Sequence, residues 1–353
     1  MPFLRRHRAH EAAVRATAAT TAAVTDPNTV FESAMRAAST VLAPDAWAGV
    51  LLDPATLMNC GGVYRHGLAA EHMPRMLDIE YREGDLNLMP ELARRENPVG
   101  VLSADTGGEP ERSVRHRDLF QPLGLRDEMR VLLRDGGRTW GALVLVRGRA
   151  FDPHEAAFAA QLSPVLGAAL RRSLVLGGAQ RPPDRDDSVL ILLTEDYDVL
   201  SASPRAEAWL DRLPEQRAPG CAELPASVYG VAAKARADTF TGTARAMVRT
   251  RAGEWAVLHA WRLTGGTGTN IAVAVESATG PDRADLLMDA YSLTERERDI
   301  TLLVLRGHST KEIGGALHLA EYTVQDHLKS VFDKTGVRSR RALVGQVFFH
   351  HYA

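Results

Sequence analysis

Between residues 292 and 349 the signals that start and stop helices come at close spacing, and this limits what the chain can build there. Thr294 with Glu297, and Ser309 with Glu312, each set a hydroxyl three residues before a carboxylate. That is the capping box, in which side chain and backbone at a helix start satisfy one another. Gly307 and Gly336 supply residues that leave a helix in the left-handed conformation, and Ser339 offers a further cap. The spacing predicts four helices, the third running from about Glu321 to Thr335 and the fourth ending near Phe349. Helices this short are marginal alone and persist only by sharing a core. Ile300, Leu303 and Val304 form the stripe of the first, and Ile313, Ala316 and Leu317 that of the second. On the third, Val324, Leu328, Val331 and Thr335 fall within an arc of about 60° at 100° per residue. Only His318, Leu319 and Ala320 separate the second helix from the third. Two helices joined by so tight a turn form a helix-turn-helix, which lays its second helix in a DNA major groove.

The face of the third helix turned from its apolar stripe carries Tyr322, Gln325, Asp326, Lys329 and Asp333. Gln pairs with adenine, Lys with guanine O6 and N7, and Asp accepts from cytosine N4. Tyr322 is placed to meet a sugar or a thymine methyl. Tyr322 and Asp333 also read as part of a solvated helix face. Phosphate contacts are expected where N–H groups and cations cluster, at Thr310, Lys311, Thr323, Arg338 and Arg340. His327, on the flank of the core stripe, reads as a packed and hydrogen-bonded histidine. Leu343, Val344, Val347 and Phe348 form an apolar stripe on the last helix, read as a dimerisation surface or as packing within the domain.

This stretch resembles the LuxR-type DNA-binding domain. The resemblance rests on Leu293-Thr294-x-Arg296-Glu297, Gly307-x-Ser309-x-Lys311-Glu312-Ile313, Thr323-Val324-x-x-His327-Leu328 and Lys334-x-Gly336-Val337-x-Ser339-Arg340. It implies base contacts at Gln325, Asp326 and Lys329. Ala320 departs from it, since the family usually has Ser or Thr there to cap the recognition helix. Such a cap contributes about 1 kcal/mol. Gln325 and Asp326 also depart, standing where the family more often has Lys and a neutral or basic residue. Fewer cations mean weaker phosphate attraction per domain, which favours binding as a homodimer.

Upstream, two composition shifts divide the chain, at Gly177–Asp187 and at Ala278–Asp285. The 353 residues suit two or three domains, here 10–176, 187–277 and 286–353. The first opens with two helical stretches, then strands at Trp47–Leu52 and Leu57–Tyr64 about an Asp53-Pro54 turn. Short helices, a strand at Val99–Ser103 and a polar loop, Ser103–Arg117, follow. A hairpin turning at Asp135-Gly136-Gly137 has two apolar arms and so belongs mid-sheet. A helix from Pro153, capped by Asp152, closes the segment. This order resembles a GAF domain. The second segment runs strand, turn, strand, a helix capped by Ser203, a helical stretch near Ala226–Ala237, then three antiparallel strands, and resembles a PAS-like fold. The fold class expected is multidomain α+β, two antiparallel-sheet domains followed by an all-α four-helix domain.

Charge narrows the function. The formal net charge is −2, which gives no global pull toward nucleic acid or membrane. Of the 42 lysines and arginines only four are lysine, Lys234, Lys311, Lys329 and Lys334. No Lys follows Gly, so there is no phosphate-binding P-loop. Nothing before Lys234 supplies the lysine that resemblance to a phosphorylated receiver domain would require. Cys60 and Cys221 lie far apart without zinc spacing, and suit a reducing cytoplasm. Gly265-Gly266-Thr267-Gly268 reads as a hairpin turn, Asp105, His116 and Asp118 as a solvated loop, and the five tryptophans as core, some of them able to line a ligand pocket. The longest uncharged run, Ala156–Leu170, contains Pro164 and is too short to span a membrane. No catalytic constellation stands out, and no cofactor or metal is expected. The expectation is therefore a cytoplasmic, dimeric, double-stranded-DNA-binding regulator, biased upstream by a small molecule or partner, with RNA polymerase a further candidate partner. The alternative is that the upstream domains serve only as dimerisation or interaction scaffolds.

Overall fold

The computed structural model describes residues 2–66, 70–176, 188–214, 224–263 and 270–348. Cys221, Gly265–Gly268 and the first composition shift lie outside them. Two antiparallel sheets precede a bundle of helices. In the first sheet, β1 (Ala46–Leu52), β2 (Asn59–His66), β3 (Val99–Val101), β4 (Asp127–Asp135) and β5 (Arg138–Arg147) stand in the order β2-β1-β5-β4-β3. The β4–β5 hairpin is interior, as its two apolar arms require. Alternation along β5 sends Ala142, Val144 and Val146 into one core, with Val50, Ile79 and Phe120.

The other face meets α2 (Pro27–Leu42) and, further on, the long closing helix of this domain, Pro153–Leu176, and α1 (Pro2–Thr21) packs on these two helices. Gly167 lets that long helix lie close on β4, because a Cβ there would sit 2.4 Å from the Arg134 carbonyl oxygen. Asp152 caps it as expected, accepting from the Glu155 amide at 2.9 Å while Glu155 accepts in return from the Asp152 amide at 2.7 Å. Between β2 and β4 run α3 (Met73–Asp78), continued by a π-helical turn Ile79–Glu83, then α4 (Met89–Arg94) and α5 (Leu102–Asp105). The Pro153–Leu176 helix is α6.

Of the three residues read as a solvated loop, Asp105 and Asp118 are exposed, and the reading is corrected at His116, which is buried. Arg115 is fully buried, and Thr106, Ser113 and His116 are buried with it. The stretch folds inward because Arg115 meets carboxylates from distant segments, an attraction that no local pattern reveals.

The second sheet repeats the order of the first. Strands β6 (Val189–Leu193), β7 (Val199–Ala202), β8 (Ala244–Arg249), β9 (Trp255–Leu263) and β10 (Asn270–Ser277) stand as β7-β6-β10-β9-β8. Helices α7 (Ala206–Arg212) and α8 (Ala226–Arg236) fall between β7 and β8. Ser203 does not cap α7. Its hydroxyl accepts from the Leu190 amide at 3.1 Å instead, and the helix begins after Arg205. Nearly every residue of α8 is buried, from Ala226 through Ala233 and at Ala235. A helix apolar on all sides needs covering on all sides. Sheet strands β8 to β10 cover one side of α8, and α3 and β2 of the first domain cover another. The two sheet domains belong to one compact unit. Of the tryptophans, Trp140 and Trp209 are buried and the other three half-buried.

The C-terminal unit holds α9 (Gly280–Ala290), α10 (Glu295–Leu305), α11 (Thr310–Leu317), α12 (Glu321–Thr335) and α13 (Arg340–Phe348). The four expected helices are all present, and α9 is an addition. The second composition shift is a helix rather than a linker. Thr279 and Asp282 cap it reciprocally, Pro281 occupies its first turn, and Ala284 and Met288 enter the core with Ile300, Ile313, Val324 and Leu328.

Candidate nucleic-acid interface and an upstream cavity

The interface begins with how α12 is held. Both capping boxes form, the Ser309 and Glu312 pair at the start of α11 and the Thr294 and Glu297 pair at the start of α10. His318, at φ 55°, ends α11 in the left-handed conformation, and the Leu319 amide returns to the Gly314 carbonyl at 2.8 Å. That closes the turn. Val324, Leu328, Val331 and Thr335 are buried, as the stripe predicts. Glu297 then locks α10 to α12. Its carboxylate accepts from the Thr294 amide at 2.7 Å, Ser330 Oγ at 2.7 Å and Lys334 Nζ at 2.6 Å. Burial opposes its charge, but Lys334 and these donors outweigh burial and hold the carboxyl at about 2.

With the core face spent, Tyr322, Gln325, Asp326, Lys329 and Asp333 are exposed, and Tyr322 is 72% so. Lys311 and Arg338 are exposed, while Thr310, Thr323 and Arg340 are half-buried. Arg340 is partly engaged within the protein, donating to the His308 carbonyl and to Thr310 Oγ1, both at 2.8 Å. These bonds tie the start of α13 to the start of α11 and bring two of the expected phosphate contacts side by side. Lys334, one of the motif cations, is taken by Glu297.

His327 is half-buried and has no hydrogen-bond partner among the described residues, contrary to the expected hydrogen-bonded histidine. The expected dimer stripe is corrected at Leu343, which is buried in the domain's own core, with Val344 packed partly against it. Helix α13 rests on α9 and α10. The side chains of Val347 and Phe348 lie outside the described ones.

The first domain contains a cavity of about 70 Å³ between the sheet and the α3 segment. Val50, Leu52 and Val144 line it from the sheet, and Met73, Met76 and Met89 from the helical side. Its polar wall is Asn59, Tyr64, His72, Glu80, Tyr81 and Arg130. No tryptophan lines it, so the aromatic walls are tyrosines. Behind the polar wall runs a buried ionic chain. Glu80 meets Arg130 at 2.6 Å, Arg130 meets Glu128 at 3.0 Å, and Glu128 meets Arg115 at 2.6 Å. Asp85 faces Arg115 at 3.4 Å. Burial raises the cost of charge at Glu128, yet the flanking arginines more than offset it and keep its carboxyl below the usual range. Sequence reasoning missed this cavity and its network. Its members come from segments up to 50 residues apart, and the only local hint was a string of charges in a stretch without solvent-facing periodicity. Cys60, on β2, is buried as expected. Among the described residues no group of three His, Cys, Asp or Glu is arranged to hold a metal.

Comparison with known proteins follows the same division. Residues 291–346 match the family of bacterial regulatory proteins of the luxR type, and residues 26–170 match the GAF domain. The chain therefore carries a luxR-family helix-turn-helix domain at its C-terminal end and a GAF domain upstream. Curated relatives include the response regulator protein VraR of Staphylococcus aureus and that of Staphylococcus epidermidis, each 39% identical over 59 residues, which is 17% of this chain. The chain spans 28% of the length of those relatives. Among solved structures, a Vibrio cholerae VqmA dimer is 18% identical with a TM-score of 0.20, covering 48% of this chain and 82% of that one. VqmA bound to DPO is 18% identical with a TM-score of 0.21, covering 46% and 84%.

Proposed function

We propose that this protein is a sequence-specific DNA-binding transcription regulator whose DNA affinity is set by a small molecule held in the GAF cavity. The observation that carries the DNA reading is α12. Its apolar side is fully spent on the core, while Gln325, Asp326 and Lys329 stand exposed together at the end of a helix-turn-helix. In this reading α12 enters the major groove. Lys329 reads guanine, Gln325 adenine and Asp326 cytosine, and Tyr322 meets sugar or methyl. Lys311, Arg338, Thr323 and the Thr310–Arg340 pair hold phosphates. The protein acts as a homodimer on a two-fold site, because one domain with so few free cations binds weakly. The second sheet, PAS-like in its strand order, joins the sensor to the DNA-binding unit. The three parts span 10–176, 187–277 and 286–353. The function is binding rather than catalysis, and its place is the cytoplasm, where the DNA is. No helix among the described residues is long and apolar enough to cross a membrane. The lined cavity favours a sensor over a scaffold.

Selection of bound sequences from a random DNA pool tests the reading. Lys329→Ala should weaken binding and relax preference at one base position by about 1–3 kcal/mol. An unaltered selected motif would remove Lys329 from base reading. Arg338→Ala should instead lower the salt dependence by about one unit with the motif intact.

A further inference from the structure

The polar wall of the GAF cavity has donors to spare and no spare charge. Arg130 commits Nε to Glu128 at 3.0 Å and Nη1 to Glu80 at 2.6 Å and to the Asn87 carbonyl at 3.2 Å. Its Nη2 meets no protein acceptor among the described residues. Asn59 spends its carboxamide oxygen on the Gly61 amide at 3.0 Å and on Tyr64 Oη at 2.7 Å. Its Nδ2 likewise finds no acceptor there. Both residues line the cavity. Both donors open onto the cavity, so an acceptor placed there can receive from each.

Charge decides what kind of acceptor. The ionic chain behind the wall sets two arginines, Arg115 and Arg130, against three carboxylates, Asp85, Glu80 and Glu128. Arg130 is already flanked by two of them, so an anion would meet a wall with an excess carboxylate. A cation would find both oxygens of Glu80 occupied, one by Arg130 and the other by the Met89 amide at 2.7 Å. Apart from Tyr64, Tyr81 and the His72 imidazole at the cavity's helical side, the remaining walls are aliphatic and thioether. Size completes the specification. At roughly 10–15 Å³ per water-sized sphere, the 70 Å³ of the cavity admits a single ring with a small substituent.

We propose that the GAF cavity takes a neutral, largely apolar molecule of single-ring size carrying one hydrogen-bond acceptor, a carbonyl or ring nitrogen, which receives from Asn59 Nδ2 and Arg130 Nη2. This rests on reading the cavity as the sensor. Four single-ring probes test it on the intact protein by ligand-observed NMR: benzamide, toluene, benzoate and benzylamine. Benzamide should bind at least about tenfold tighter than the other three, the worth of one good hydrogen bond. Asn59→Leu should shrink its lead over toluene. Filling the cavity with Val144→Phe, or with Ala48→Leu should the first fail to fold, should abolish binding of benzamide. Tighter binding of benzoate or benzylamine, benzamide binding undiminished in the filled protein, or no binding by any probe overturns the ligand class. Sensing is judged separately, on DNA taken from the selected pool. Benzamide that binds the cavity yet leaves DNA affinity unchanged overturns sensing and leaves the ligand class standing.

Discussion

Glu297 sits three residues into the first helix of the DNA-binding bundle and accepts from the Thr294 amide, Ser330 and Lys334. Its side chain is 5% exposed, so these partners act in little water. Its carboxyl is held at about 2, against an ordinary 4.5. A carboxyl depressed by folding contributes stability above its unfolded value, and that contribution fades as pH falls through the folded one. The bundle should therefore lose on the order of 2–3 kcal/mol between pH 4.5 and 2 from this group alone. Glu297→Gln should be less stable at neutral pH, and its gap to the parent should close across that window in acid titrations followed by circular dichroism. Ala320 gives the opposite case. It occupies the cap position of α12 with cap-compatible φ −68° and ψ 148° but makes no side-chain bond. Ala320→Ser should add about 1 kcal/mol, read as a raised denaturation midpoint at unchanged slope. Glu128 lies between Arg115 and Arg130. Glu128→Gln leaves two buried guanidinium groups short of a partner and should cost about 3–5 kcal/mol, measured as a lowered melting temperature. The first two residues were legible in the sequence because a cap is a pattern four residues long. The third was not, since Glu128 gains its meaning only when the chain brings Arg115 and Arg130 together.

Helix α9 shows the same boundary between local and non-local information. Its cap, Thr279 with Asp282, and its early Pro281 are helix-start signals as good as those downstream, yet the Gly-Pro pair and the surrounding charge read as a linker. What makes it a helix with a place is burial of Ala284 and Met288 against the bundle. A fragment beginning at residue 278 should accordingly melt higher than one beginning at 286, which lacks Ala284 and the capped first turn. Equal melting temperatures would mean that α9 adds nothing. Helix α8 was legible as a helix, but not as one covered on both sides. Its run of small residues lies between two domains, and at Gly230 the backbone comes near Tyr81, where a Cβ would meet the ring at 3.3 Å.

At the scale of the whole molecule, the class and order of the three parts follow from strand alternation and helix punctuation. How the two sheets are joined does not. Asp53, in the first hairpin turn, accepts from the Met247 amide of the second sheet at 3.0 Å. Asp78, at the end of α3, accepts from the Tyr197 hydroxyl and faces Arg236 at 3.8 Å. Groups this dependent on one another should come apart together. Scanning calorimetry should show two transitions, one for both sheets and one for the helical unit, and three would contradict a shared unit.

The contact between Asp53 and Met247 bears on anyone who would transplant the GAF domain. Tandem regulators invite grafting, with the upstream module cut out and fused to another output. A graft ending at residue 176 would carry away the Asp53 carboxylate without its amide, Asp78 without Tyr197, and a Tyr81 that no longer rests on Gly230. The face so opened is the back of the segment that lines the cavity. The smallest portable cassette is therefore both sheets together, residues 2–277, and a shorter one should be destabilised around the cavity even where it folds.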